Sequence, residues 1–244
     1  MNYEDFKKFT INIDYKYDVP IKPKNPYLSY TKKEDRKGKT LYVEVFYDGK
    51  KIGRGVILDF YKKFEIRTSD WGNLYTFPLN NTNIGNKIHK IKFYTSPKIP
   101  KSLRKTYINS FAERFEKNLN SLIRKAERKE KELFITYIPS STKTSNLLAK
   151  QLSEDYDITL KKLIKKDSEL GDSKSIQDYF ESMEFSQKKY KYNSKFITEN
   201  KDGMYLIVDD VMGLGCSMLT TLKKFYDITN KINYFFIVAK DVKR

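Results

Sequence analysis

Three short runs near the end of the chain, LFITYI (133–138), MYLIV (204–208) and NYFFIVA (233–239), lack the polar residue at every second place that a half-wet strand needs. A strand without alternation is buried on both faces, which a sheet achieves when helices cover both of its sides. The segments between the runs supply such helices: TSNLLAKQLSED (144–155) and SMLTTLKKFYDI (217–228) have helical spacing. ITLKKLI (158–164) reads as a further strand, and the polar stretch 167–195 as a loop with one helix near 175–184. Strands alternating with helices predict an α/β fold with a parallel sheet and flanking crossover helices over 132–244.

The first half has a different texture. LYVEVFY (41–47) alternates, Asp48-Gly49 is a hairpin signal, and KIGRGVILDFY (51–61) continues as its partner. KFEIRT and NLYTFPL, separated by Asp70-Trp71-Gly72-Asn73, extend a β reading to about residue 94, as a small antiparallel sheet or partial barrel. Residues 1–40 are rich in Tyr, Lys and Pro, and Pro20, Pro23 and Pro26 predict an extended arm. After the linker SPKIPKS (96–102), Leu103, Tyr107, Ile108, Phe111, Phe115, Leu119, Leu122, Ile123 and Ala126 recur at helical spacing, with Arg and Lys on the opposite face. The expected division is a basic β-rich region with an arm (1–95), a long amphipathic basic helix (102–131) and the α/β domain (132–244).

Charge follows that division. Residues 1–131 hold 30 Lys and Arg against 15 Asp and Glu, a net of +15, whereas residues 132–244 hold 18 against 16, a net of +2. A basic half predicts a polyanion partner, RNA or DNA through residues 1–131; a Lys-rich codon bias is the plainer source of part of it. Tyrosines among lysines in the arm suit base stacking, or else packing of the arm across the domain. The single cysteine, Cys216, excludes an internal disulfide, and no apolar run is long enough to span a bilayer. No membrane partner is expected, and the start MNYEDFKKFT has no signal-peptide core, so the cytoplasm is the expected compartment.

The motif that carries chemistry is LIVDDVMGLGCS (206–217). An apolar strand ends in Asp209 and Asp210, and the glycine-spaced turn Gly213-Leu214-Gly215-Cys216-Ser217 leads into a helix. Ligands of open α/β sheets bind beyond the carboxyl ends of strands, and amides at a helix start grip phosphate. Carboxylates aimed at a phosphate would repel it, so they point to sugar hydroxyls or hydrated Mg²⁺ on the same ligand. The loop is neither a Walker loop nor a dinucleotide fingerprint, since no Gly-Lys-Ser/Thr follows and the acids precede the glycines. The bland alternative is a strand–helix turn with glycines for packing.

YLIVDDVMGLGCSMLTTLKKF (205–225) resembles the 5-phosphoribosyl-1-diphosphate (PRPP) motif of type I phosphoribosyltransferases. ITYIPSSTKTSNLLAKQL (135–152), with Asn146-Leu147-Leu148-Ala149, is similar to the first strand, diphosphate loop and following helix of the competence-protein ComF branch. KYKYNSKFI, with Asn193 and Phe196, resembles the segment before the PRPP strand. The likeness covers roughly 132–240 and implies a glycosyltransferase that passes phosphoribosyl to an acceptor and releases diphosphate. It implies that Asp209 and Asp210 are catalytic, hold the ribose hydroxyls and help seat Mg²⁺, mostly indirectly. Gly213, Leu214, Gly215, Cys216 and Ser217 would bind the 5-phosphate. Ser140, Ser141, Thr142 and Lys143 would line the diphosphate, with Lys143 giving the charge.

The sequence departs from that pattern in three places. Gly213-Leu214 stands where the family has Thr-Thr, a loss of two hydroxyl donors at about 1 kcal/mol each. Thr144-Ser145 replaces Arg-Gly, and one cysteine cannot build the branch's zinc-binding N-terminus. These departures imply a binding fold with altered or lost catalysis, and the +15 of residues 1–131 motivates a second expectation, a non-catalytic nucleic-acid-binding or nucleoprotein-associated accessory or effector protein of a mobile-element or antiviral defence system. Among other residues, Cys216 reads as a small packed residue rather than a nucleophile, His89 as a surface residue, and Trp71 as a cap on the β-region's core.

Overall fold

The computed structural model describes residues 1–15, 28–32, 40–68, 74–93, 99–167, 169–170, 176 and 178–241. Much of the expected arm, Trp71 with its turn, and linker residues 94–98 lie outside the described residues.

The three apolar runs form three adjacent inner strands of an eight-stranded sheet. Strand β7 (Leu133–Tyr137) is buried at every position. It pairs in parallel with β11 (Met204–Met212), which pairs in parallel with β12 (Asn233–Lys240). Burial on both faces explains the missing alternation, and the crossover helices are those the spacing predicted: α4 (Thr144–Tyr156) after β7 and α7 (Cys216–Thr229) after β11. The chain is therefore α/β, with a parallel core flanked by helices.

The boundary drawn from the sequence near residues 95–132 does not interrupt the sheet. Strand β4 (Lys50–Phe60) pairs in parallel with β12, from Gly53 beside Asn233 to Phe60 beside Lys240. β4 forms a hairpin with β3 (Leu41–Tyr47), turned at Asp48 and Gly49, whose φ values of 50° and 71° are those a two-residue hairpin turn requires. β3 pairs antiparallel with β1 (Phe9–Tyr15), and β1 pairs in parallel with β2 (Leu28–Lys32). The strand order is thus β2-β1-β3-β4-β12-β11-β7-β8, with β8 (Thr159–Leu160) at the far edge. The expected small antiparallel sheet or partial barrel is instead split: β3 and β4 join the parallel sheet as its antiparallel extension, while β5 (Lys62–Thr68) and β6 (Leu74–Asn81) pair with each other as a two-stranded ribbon.

Three local expectations are corrected. Phe9–Tyr15, expected in an extended arm, is a strand because Phe9, Ile11 and Ile13 alternate into the core. It follows a short helix, α1 (Tyr3–Lys7), closed by a reciprocal Asn2–Asp5 capping box. Residues 83–93, expected as β-structure, form helix α2 (Asn83–Phe93), with Ile84, Ile88 and Ile91 buried and the Thr82 hydroxyl accepting from the Gly85 N–H at 2.9 Å. ITLKKLI is broken: β8 ends at Leu160, and β9 (Ile164–Lys166) joins β10 (Tyr190–Tyr192) in a second ribbon.

One face of the sheet is covered by α2, α4 and the long helix α3 (Lys101–Glu127), whose Ile108, Phe111, Phe115, Leu119 and Leu122 are buried. Phe115 stacks on Phe236 of β12 at 4.5 Å. The other face is covered by α5 (Tyr179–Lys189), α6 (Ser194–Glu199) and α7, around Tyr205, Leu222, Phe225 and Phe235. No helix among the described residues is long and apolar enough to cross a membrane.

Candidate functional site

The carboxyl end of β11, the turn into α7, the loop after β7 and helices α2 and α5 enclose one cleft of about 410 Å³. Asp209, Asp210, Gly213, Leu214, Gly215, Cys216, Ser217, Ser140 and Ser141 all line it. Two candidate residues do not. Thr142 sits behind the rim, its hydroxyl 2.8 Å from that of Thr144 and 3.5 Å from Asp210 Oδ2. Lys143 is exposed at the start of α4 with φ 57° and is absent from the cleft wall.

The acid pair is held in a buried, polar setting. β11 runs four residues past Val208, so Asp209 and Asp210 lie within the strand, and successive side chains leave it in opposite directions. Asp210 is 3% exposed and accepts from Lys92 Nζ of α2 at 3.0 Å. Asp209 is 8% exposed, and its Oδ1 accepts the Asp210 N–H at 2.8 Å. Loss of water and then the Asp210 carboxylate raise the Asp209 pKa far above the usual carboxylate range, against the weaker pull of Lys92 and Lys189.

The turn after the acids is fixed from below. Gly215 takes φ 90°, a left-handed value costly for a side-chain-bearing residue, and starts α7 with no side-chain cap. Beneath it Lys240 of β12 is fully buried; its Nζ donates to the Gly213 carbonyl at 2.9 Å and also to the Asp241 carbonyl. Burial lowers the Lys240 pKa to about 8, with Asp241 opposing the shift. The first amides of α7 belong to residues that line the cleft and lack intrahelical partners, which favours an anion there.

The remaining wall comes from segments the sequence left undefined. Ser182, Ser186 and Lys189 of α5, Lys166, Tyr190 and Tyr61 line the cleft. The Tyr190 hydroxyl lies 3.4 Å from Ser217 Oγ, and burial raises its pKa. Tyr61, raised to about 12 mainly by burial, has its hydroxyl 2.9 Å from His89 Nδ1, so His89 is a partner of the wall rather than a bare surface residue. Cys216 is buried, with its thiol raised to about 12 by desolvation, which leaves no thiolate for nucleophilic attack near neutral pH. On the outer side of the β7–α4 loop, Arg104 of α3 donates to the Thr142 carbonyl and ties that loop to α3.

Lys92 was legible only in outline: Ile84, Ile88 and Ile91 have helical spacing, which marks α2, but nothing near Lys92 in sequence indicates Asp210, 118 residues later. Among the described residues no cluster of three or more His, Cys, Asp or Glu side chains could enclose a metal ion. The arrangement suits a ligand that is anionic at the α7 end and bears hydroxyls or a partly hydrated cation beside the acids. No protein-family model matches the chain, and no curated protein is found to match it.

Proposed function

We propose that the cleft binds PRPP or a related phosphoribosyl ligand with Mg²⁺, and that the chain transfers the phosphoribosyl group to an acceptor with release of diphosphate. The observation that carries this reading is the convergence of a buried acid pair and an uncapped helix start on one cleft. Two carboxylates are too few for an all-protein cage, but they fit a Mg²⁺ that keeps several waters and takes its other ligands from substrate phosphates. When bound, Mg²⁺ would neutralise charge on the leaving diphosphate. Asp209 and Asp210 would hold the ribose hydroxyls and face the positive charge that grows on the sugar as the C1–O bond to diphosphate breaks. The amides of Cys216 and Ser217 would hold the phosphate. Ser140 and Ser141 would line the diphosphate, with Lys92 rather than Lys143 as the cation nearest the acids.

Calorimetry with PRPP and Mg²⁺ on the wild type and on the Asp209→Asn/Asp210→Asn variant tests the reading. Binding lost in the variant is expected; no wild-type binding at millimolar ligand would refute it.

A second reading, a nucleic-acid-binding or nucleoprotein-associated protein, is favoured by the +15 of residues 1–131 and by the exposed Lys105, Arg114, Lys117, Arg124, Arg128 and Lys129 of and after α3. It predicts RNA or DNA affinity that falls steeply with salt, and a flat response removes it.

A further inference from the structure

The loop that meets α7 has lost two hydroxyl donors relative to the pattern it resembles, and α5 brings two hydroxyls to the same cleft. Ser182 and Ser186 stand one helical turn apart, 6% and 2% exposed, and both line the cleft. A helical serine commonly satisfies its hydroxyl on the carbonyl four residues back. Among the described residues neither hydroxyl has a hydrogen-bond partner. Neither oxygen is among the buried polar atoms left without a partner, so both hydroxyls open onto the cleft, where they are available to bond a ligand.

The geometry joins this pair to the start of α7. The Cys216 thiol points to the Tyr179 carbonyl at the head of α5, at 3.8 Å, and the Tyr190 hydroxyl just past its end lies 3.4 Å from Ser217 Oγ. α5 therefore runs alongside residues 216–217, with its serines between those two contacts. Lys189, 6% exposed and three residues after Ser186, lines the same wall. The Leu219 N–H bonds back to Gly215, leaving the three amides before it without intrahelical partners.

We propose that α5 completes a phosphate-monoester subsite, with the amides of residues 216–218 on one wall and Ser182, Ser186 and Lys189 on the other. The inference rests on the phosphoribosyl reading and adds to it: the terminal phosphate is gripped by two elements, and α5 replaces the donors absent from Gly213-Leu214.

The test titrates wild type, Ser182→Ala/Ser186→Ala and Lys189→Met with ribose 5-phosphate, PRPP with Mg²⁺ and inorganic diphosphate. The double serine variant is expected to lose about 10-fold or more of its affinity for ribose 5-phosphate and PRPP alike, as hydrogen bonds to a charged group require, and to keep its affinity for diphosphate. Lys189→Met is expected to follow the same pattern. Without ligand, the double serine variant should melt no lower than wild type, since neither hydroxyl bonds another group of the protein. Unchanged ribose 5-phosphate affinity in a variant, or an equal loss for diphosphate, overturns the subsite while leaving wild-type PRPP binding intact. A wild type that binds neither sugar phosphate refutes the phosphoribosyl reading itself, and the subsite with it.

Discussion

Replacing Asp209 by Asn should stabilise the protein, by an amount that grows with pH. The carboxyl is buried against Asp210, and its folded pKa is raised. In the unfolded chain it ionises near pH 4, so above that value the unfolded state releases a proton that the folded state keeps. Each pH unit between the unfolded and folded pKa values then costs folding about 1.4 kcal/mol. The penalty is absent below pH 4 and widens toward neutrality. Structural relaxation around the buried carboxyl reduces it, which leaves a working figure of about 2 kcal/mol at pH 7.5 and under about 1 kcal/mol at pH 4.5. Asparagine keeps an oxygen for the Asp210 N–H and carries no charge, so Asp209→Asn should recover most of that penalty. For a chain of this length, about 2 kcal/mol corresponds to a Tm rise of about 4–8 °C. Asp210→Asn serves as the control of opposite sign: it breaks the 3.0 Å contact with Lys92, whose side chain is only 22% exposed, and should lower the Tm at pH 7.5. Thermal melts at the two pH values read both variants. An Asp209→Asn gain that is the same at pH 4.5 and 7.5, or a loss at pH 7.5, would refute the reasoning.

Lys92→Met should weaken PRPP and inorganic diphosphate binding and spare ribose 5-phosphate, because Lys92 stands beside Asp210 on the cleft wall; equal titration curves for all three ligands would count against it. Lys240 has a lowered folded pKa of about 8, so the wild type should gain stability as pH rises from about 8 to 10.5, where only the unfolded chain still holds the proton. Lys240→Met should flatten that rise in chemical-denaturation curves and weaken ribose 5-phosphate binding by freeing the Gly213 carbonyl. Gly85→Ala would set a Cβ 1.7 Å from the Tyr61 carbonyl oxygen, forcing the start of α2 to move. Denaturation should show a cost of about 2–3 kcal/mol, and the Lys92-dependent part of diphosphate binding should fall with it.

The parts of the fold that a local pattern determines were readable from sequence. β7, β11 and β12 announce double burial by their missing alternation, α3 and α4 by their spacing, and the β3–β4 turn by Asp48-Gly49. β1 carried the right signal, Phe9, Ile11 and Ile13 at every second place, but the Tyr-, Lys- and Pro-rich composition around it suggested an arm. α2 was masked in the same way by the β-texture before it, although the Ile84, Ile88 and Ile91 spacing is helical. At the site, the residues of the 209–217 motif line the cleft, as do Ser140 and Ser141 from the β7–α4 loop, whereas the wall contributed by α2 and α5 was not read. Lys143 was the nearest cation in sequence and is exposed, while Lys92 arrives from a distant helix. Ser182, Ser186 and Lys189 escaped because a polar residue facing an internal cleft has the same pattern as one facing water.

The parallel pairing of β4 with β12 means that neither half of the chain is self-sufficient. A fragment starting at residue 132 would leave the Asn233–Lys240 strand with an open rim of unsatisfied amides and carbonyls, ready to recruit another chain. It would also lose α3 and uncover Phe236. Heat or denaturant should therefore melt both portions in a single cooperative step, so that the charged front portion and the cleft behind it live and die as one unit.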